Sequence, residues 1–456
     1  MNKIVSLCKR RGFVFPGSEI YGGLANTWDY GPLGSQLKKN IKDSWWKTFV
    51  ERRQDIVGID SSILMNPRVW EASGHVETFN DPLVEDKITH KRFRADHLIQ
   101  EMTGENVDGK SLEELAAIIE AKSLKSPDGN ALTPPRQFSG MFETTAGAAG
   151  EGDQVIYLRP ETAQAIFVNF KNVLDTTRIR LPFGIAQIGK AFRNEITPGN
   201  FTFRTLEFEQ MEIEYFLEEQ DWQAQFETWA DTIENWGKQI GIDIAHVHRL
   251  EVAKDALAHY SKRTVDFEFD FPFGTKELWG LAYRTDFDLT NHQNHSKQKL
   301  EYTDPDEQSK KVVPHVIEPS LGVDRTLLAL LTSAYTEEEV PDSKGGTDTR
   351  VVMKFVPALA PYQVAVLPLS KKDQLIEPAQ KLVDQLLPMA RVEFDASGSI
   401  GKRYRRQDEI GTPFCVTVDF ETLEDKAVTV RDRDTMQQTR VPIVELTAYL
   451  AQRLAA

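Results

Sequence analysis

FRNEITPGNFTFRTLEFEQMEIEYF, residues 192–216, is the stretch from which the rest of the chain can be read. Pro198, Gly199 and Asn200 interrupt two runs dense in aromatic and β-branched residues, which predicts a strand, a turn-rich loop and a second strand. Side chains alternate along a strand, so Arg193 and Glu195 are expected on one face of the first. On the second, Phe208, Gln210, Glu212 and Glu214 share one face, while Met211, Ile213 and Tyr215 share the other. Such alternation equally describes an ordinary hairpin with its charges in water. Arg193 and Arg204 near Phe208 favour a binding site, because guanidinium forks suit phosphate oxygens and a ring suits a stacked base.

These residues resemble motif 2 of the class II aminoacyl-tRNA synthetases, and their wording is similar to that of the homodimeric, class IIa glycyl-tRNA synthetases. The resemblance implies two further motifs. Residues 21–34, YGGLANTWDYGPLG, precede a predicted helix from about Ser35 to Arg53 with Leu37, Ile41, Trp45 and Phe49 on one stripe. With the strand DIVGIDSSILMNP ending at Pro67, this resembles motif 1 (about 28–67), which in the family forms the dimer interface. VIEPSLGVDRTLLALLTSAY, residues 316–335, resembles motif 3. Pro319 and Gly322 are expected to turn into a buried helix with Arg325 at its mouth. An arginine there needs an anion or carboxylate partner, and a nucleotide is a good one.

A chain of 456 residues exceeds a single hydrophobic core, so at least two domains are expected. At 40% hydrophobic and 27% charged it has the composition of a soluble globular protein. No apolar run approaches the ~20 residues of a membrane span. The N-terminus lacks a signal-peptide pattern, which predicts a cytoplasmic location. Cys8 and Cys415, far apart in sequence, read as reduced thiols. A net charge of −15 argues against a generic polyanion binder and requires any nucleic acid to meet a local basic patch. Lys402, Arg403, Arg405 and Arg406 offer one, although such runs are commonly a solvated helix face.

Residues 75–152 read as an insertion with one helical piece, Ser111 to Lys122. Family members carry two CxxC-type pairs here as a structural zinc site. DPLVEDKITHKRFRADHLI and KSPDGNALTPPRQF contain neither pair, and His90 among carboxylates is no substitute, so no zinc is expected. Thr162 is the expected N-cap of a helix over Ala163 to Asn169. The helix within EEQDWQAQFETWADTIENWGKQIG has its stripe, Trp222 to Ile240, spaced 4-3-4-3-4, which assigns it to core packing. His292 and His295 are expected in a polar loop.

The fold expected is an α+β catalytic domain (1–348), an antiparallel sheet flanked by helices. A linker (349–358), within an acidic, glycine-containing stretch from 336, leads to a C-terminal α/β anticodon-binding domain (359–456). Its alternating strands and helices indicate a mixed, largely parallel sheet. GSIGK within it is not a P-loop, which needs four residues between its glycines.

The resemblance implies ATP-dependent activation of glycine to glycyl-adenylate, then transfer to the 3′ end of tRNA(Gly). By the family's pattern, Arg193, Glu195 and Arg325 are catalytic. ATP would meet Arg193, Asn194, Glu195, Phe203, Arg204, Phe208, Glu277, Leu278, Gly322 and Arg325. Phe208 and Arg325 would sandwich adenine, and Glu277 would hold Mg²⁺ with the phosphates. Glycine would meet Arg94, Glu161, Phe208, Gln210, Glu212, Arg284, Glu318 and Ser320. A class II enzyme for serine or proline is the nearest alternative, and a synthetase-like accessory subunit of a polymerase is the second. Retained Arg193, Glu195 and Arg325 speak against the latter, and absent HIGH and KMSKS signatures speak against a class I enzyme.

Overall fold

The computed structural model describes residues 1–107, 109–146, 154–307, 309–341 and 346–455. Gly31 and Pro32 open helix α1 (Pro32–Trp46), since a proline at the first helical position has no amide to leave unsatisfied. Leu37, Ile41 and Trp45, continued by Phe49 in a π-helical turn (Lys47–Glu51), are buried as their spacing predicts. The helix begins a turn earlier than expected, and the strand after it, β1, is short (Ile56–Gly58).

The described residues of the insertion form more regular structure than its polar composition implies. Strands Asn80–Glu85, Arg92–Arg94 and Arg136–Ser139 form a small sheet. Helices Ala95–Thr103 and Leu112–Ala121 cover it and bury Val84, Leu98, Ile99 and Leu115. The second helix starts at a capping box between Ser111 and Glu114. Two turns of the insertion are tied by one fully buried carboxylate. Asp86 accepts the amides of Ile88 and Thr89 at 2.8 and 2.9 Å, the Ser126 hydroxyl and the Asn130 amide. These are oxygen and amide groups, which do not suit a thiolate zinc site. His90 is exposed and pairs with Glu85 at 2.9 Å.

Burial alone would push the Asp86 carboxyl up, but Ser126, the two amides and Asn130 hold it well below the usual carboxylate range. A depressed carboxylate stabilises above its unfolded value and ceases to do so as pH falls through its folded one. Asp86→Ala is therefore expected to open the 80–139 module ahead of the rest of the chain. Hydrogen exchange would show early loss of protection confined to that module. Asp86→Asn should fail similarly, because an amide NH₂ cannot accept from Ser126 and Asn130. Uniform protection in the variants would refute the role given to Asp86.

The main sheet follows. Helix α2 (Ala163–Thr176) leads to β2 (Phe183–Phe192) and β3 (Glu207–Leu217). Then come α3 (Trp222–Gln239), β4 (Val247–Glu251), β5 (Arg263–Phe271) and β6 (Gly274–Thr285). Helix α4 (Phe287–Ser296), β7 (His315–Gly322) and α5 (Val323–Ala334) complete the unit. Strand order is β4-β5-β6-β7-β3-β2-β1, antiparallel throughout except that β1 runs parallel to β2. Met211, Ile213 and Tyr215 of β3 face a core shared with Trp45, Trp229, Trp236 and Leu327. On the opposite face, Phe216 and Phe183 pack under Phe167 and Phe170 of α2. The face bearing Glu212 and Glu214 is thus roofed at one end and open at Phe208.

Several expectations change. Strand β2 ends at Phe192, so Arg193 and Glu195 share no strand face. The chain leaves the sheet because the Asn194 amide donates to Gly140 of the insertion at 2.8 Å. His292 and His295 lie on α4, where His292 is buried against Gln164 at 2.8 Å. Pro319 sits within β7, and Gly322 alone caps α5. Thr162 is the N-cap residue of α2 as expected, but its hydroxyl makes no capping bond and donates to Glu212.

The stretch expected to hold the linker begins as paired structure: strands Tyr335–Pro341 and Thr347–Met353 pair with each other. Buried Arg350 anchors the second through Asp408 and Glu338, each at 2.8 Å. The C-terminal sheet has strands in the order Val392–Phe394, Val364–Pro368, Phe414–Val418, Ala427–Asp432, Gln438–Pro442. The first three are parallel and the last two antiparallel, a mixed sheet flanked by helices. The basic run lies on helix Ile400–Ile410 and is largely consumed internally. Arg403 is buried against backbone carbonyls, Arg406 pairs with Asp395 and Arg405 with Asp348. Cys8 and Cys415 are buried free thiols in separate cores.

Candidate active site

The 193–206 loop folds back on itself, with Gly199 and Arg204 exchanging backbone hydrogen bonds of 2.9 and 3.2 Å. It closes one wall of a cavity of about 160 Å³. The open end of β3, the start of α5 and the Glu277–Leu278 segment of β6 form the rest, with Arg193, Glu195, Phe203, Arg204, Phe208, Gln210, Ser320, Gly322 and Arg325 on the lining.

The three arginines differ in what they hold. Arg204 donates to Glu195 at 2.7 Å. Arg325 meets the Glu277 carboxylate at 3.0 Å and lies 4.5 Å from the centre of the Phe203 ring. Its carboxylate is therefore supplied by the chain itself. Arg193 donates its Nε to the Pro160 carbonyl at 3.0 Å and lies 5.3 Å over the Phe208 ring. Its two terminal nitrogens meet no acceptor among the described residues. A half-buried guanidinium with two free prongs over an aromatic face is built to receive an oxyanion.

Behind Gln210 and Ser320 lies a second, acidic compartment. Ser320 donates to Glu212 at 2.8 Å, and Thr162 donates to the other oxygen of Glu212. Arg284, fully buried, donates to Glu318 at 2.7 Å and to both oxygens of Asp288 at 2.8 and 2.9 Å. Glu161 accepts from Gln164 at 3.0 Å and lies 3.4 Å from His75. Burial opposes ionisation of Glu161, yet His75, Arg284 and Gln164 hold its carboxyl well below the usual range. Burial and the neighbouring Glu161 push Glu212 the other way. Burial also raises Glu318, against the pull of Arg284. A water-filled hairpin face is thereby excluded: Gln210, Glu212, Glu214 and Glu318 are all buried.

A third group ties the elements together. Lys38 of α1 bridges Asp324 of α5 at 2.8 Å and Glu209 of β3 at 2.9 Å, while Asp324 also accepts the Glu209 amide at 2.7 Å. Stretches distant in sequence thus meet at one buried ion cluster beside the cavity.

Of the residues singled out in the sequence for ATP, Asn194 does not line the cavity, and of those for glycine, Arg94 does not. Arg94 stays on the insertion, paired with Asp81 at 3.0 Å and with Asp96. Asn194 turns its side chain to the Ser139 carbonyl at 3.3 Å, away from the cavity. Others went unnamed as site residues: His75, Thr162, Glu214 and Asp288. Asp288 carried a signal, standing four residues after Arg284 where a strand passes into a helix. His75 carried none, since it opens the stretch read as an insertion, past the end of motif 1.

Residues 145–334 match the family model of the tRNA synthetase class II core domain (G, H, P, S and T), and residues 363–453 that of the anticodon binding domain. A glycine–tRNA ligase of Alkaliphilus oremlandii is 54% identical over 100% of this chain and 98% of its own length. Those of Staphylococcus haemolyticus and Bacillus anthracis are 54% and 52% identical, each covering 100% of this chain and 99% of their own length. Among solved structures, a prolyl-tRNA synthetase from Cryptosporidium parvum, complexed with halofuginone and AMPPNP, has a TM-score of 0.63. It is 15% identical, over 99% of this chain and 75% of that one, which speaks to the fold alone.

Proposed function

Since the chain belongs to the glycine–tRNA ligases, with their class II core and anticodon-binding domain, we propose that the two compartments divide the work of activating glycine with ATP. The enzyme joins glycine to tRNA in an ATP-dependent reaction. The cavity beside Phe208 takes ATP, and the acidic compartment behind Ser320 takes the ammonium end of glycine. The observation that carries this reading is Arg193, whose two free terminal nitrogens face a cavity in which Arg204 and Arg325 are already paired.

The glycine carboxylate attacks the α-phosphate in line, and charge spreads over the equatorial oxygens, so positioning and neutralisation do most of the work. Arg193 neutralises the α-phosphate. Arg204 and Arg325 exchange their carboxylates for the outer phosphates and adenine, the latter stacked on Phe208. Glu277 would hold Mg²⁺ with the phosphates: one of its oxygens is committed to Arg325, and the other is a hard donor of the kind that ion accepts, where it would neutralise phosphate charge. The nucleophile is already ionised, and the first step needs no general base.

The C-terminal unit supports recognition of tRNA(Gly) at the anticodon. A homodimer in the cytoplasm is the reading for the assembled enzyme. Exposed Ile20, Tyr21 and Leu24 beside the α1 segment support a second copy docking there, and a native mass at the monomer value would refute it. No helix among the described residues is long and apolar enough to cross a membrane.

Pyrophosphate exchange with ATP, run with each amino acid in turn, tests the activity. Exchange should depend on glycine. Exchange driven by serine or alanine would overturn the pocket assignment and leave the fold untouched.

A further inference from the structure

Glu214 is the acid of the inner compartment for which the reaction above has no use. It stands two residues beyond Glu212 on β3, so both project from one face. Gln210 and Glu212 pair with Gly322 and Ser320 of β7, a register that sets Glu214 opposite Glu318. Like charges directly opposed across two strands repel. Oxygens of Glu212, Glu214 and Glu318 lie within 4.8 Å of one another. Glu214 is 0% exposed, and neither of its carboxyl oxygens meets a donor among the described residues.

The surrounding charges do not compensate it. Glu318 comes from β7, Asp288 and His292 from α4, Glu161 from the start of α2, and Glu212 from its own strand. Arg284 of β6 is the nearest guanidinium among the described residues, and all three of its nitrogens donate to Glu318 or Asp288 and none to Glu214. His75, from the helix His75–Thr78, turns to Glu161. Burial and the facing Glu318 push Glu214 well above the usual carboxylate range. Glu318 has the Arg284 guanidinium at 2.7 Å and Glu214 has no donor, so of the facing pair Glu214 is the better place for a proton. A buried carboxyl with no donor avoids the cost of an isolated charge by protonation.

We propose that Glu214 carries a proton in the empty pocket and releases it when glycine enters, so that the amino acid binds by exchanging a proton for its ammonium group. The inference rests on the glycine pocket proposed above. On binding, the O–H bond of the Glu214 carboxyl breaks, the proton leaves for solvent, and the carboxylate so formed balances the substrate ammonium. The exchange limits surplus negative charge beside the ATP cavity while the pocket is empty. It also makes the pocket answer to a cation, which a neutral side chain of the same shape would not do. Glycine affinity accordingly rises with pH until free Glu214 is itself ionised, and levels off above that.

The test is calorimetry of glycine binding to the full-length enzyme with a non-hydrolysable ATP analogue, in buffers of contrasting ionisation heat. Wild type should release roughly one proton per glycine at neutral pH. Glu214→Gln should bind glycine more weakly, with most of the release lost and the pH dependence reduced to what Glu212 and Glu318 contribute. No release from wild type, or equal release from the variant, overturns the proposal. Should the variant fail to fold, difference infrared spectra of wild type decide: the carbonyl stretch of a protonated buried carboxyl must vanish when glycine is added, and its persistence overturns the proposal. If the ATP analogue binds and glycine gives no heat at all, the pocket assignment itself falls, and the proposal with it.

Discussion

Arg193→Ala is expected to lower glycine-dependent pyrophosphate exchange by on the order of 10²–10³-fold, about 3–4 kcal/mol of transition-state stabilisation. The loss should fall on kcat, because charge on the α-phosphate oxygens peaks as glycine attacks. Arg193→Lys should recover little. The guanidinium is aimed by its Nε bond to Pro160 and by the Phe208 ring, and an ammonium offers neither the fork nor the flat face. Arg204→Ala should cost less, since Arg204 already has Glu195 and must release it to reach a phosphate. Steady-state exchange with all three variants separates these outcomes. A loss under about tenfold for Arg193→Ala would remove the α-phosphate role from this residue, because one well-aimed donor is worth more than that.

In the inner compartment the expected effect is on glycine and not on ATP. Ser320→Ala removes the 2.8 Å hydrogen bond to Glu212, and Glu161→Gln removes a charge while keeping the shape. A hydrogen bond to a charged group contributes about 1.5–3 kcal/mol, so KM for glycine should rise roughly 10- to 150-fold, with ATP saturation unchanged. Equal losses for both substrates would refute the division into two compartments. The pH dependence follows from the signs of the shifts. Glu161 is held low, so it stays ionised as pH falls through the mildly acidic range and contributes no loss of glycine there. Glu212 and Glu318 are raised, so any weakening of glycine binding on acidification belongs to them and to Glu214. Discrimination against alanine rests on the walls: a missing methylene yields only ~1–3 kcal/mol, whereas a rigid side chain in the way can exclude a larger one.

What the sequence determined by itself is the frame. The period-two alternation of residues 208–216 marked which side chains share a face, and the 4-3-4-3-4 stripe of α3 marked a core helix; both patterns survive because they depend only on local backbone geometry. The match of FRNE, FRTLEFEQMEIEYF and EPSLGVDR to a family pattern supplied the fold and activity. The insertion was legible only in part: Ser111 announced its helix, but the carboxylate staple at Asp86 depends on Ser126 and Asn130, forty or more residues away. The stretch from 336 to 358 looked like a linker because a charged, glycine-containing composition does not disclose that Arg350 is buried against Asp408.

Only the tertiary structure decided the electrical state of the site. Sequence placed Arg193 and Glu195 on a strand; in the structure the strand ends before them, where an amide of the loop finds its acceptor on the insertion, and both reach the cavity from the loop. Sequence asked for a partner to Arg325, and the structure supplies Glu277. Sequence set Glu212 and Glu214 on one face with nothing to distinguish them. Packing gives the first two hydroxyl donors and the second none. Charge, protonation and free hydrogen-bonding capacity are set by what comes within a few ångströms from distant parts of the chain, and one-dimensional spacing does not carry that information.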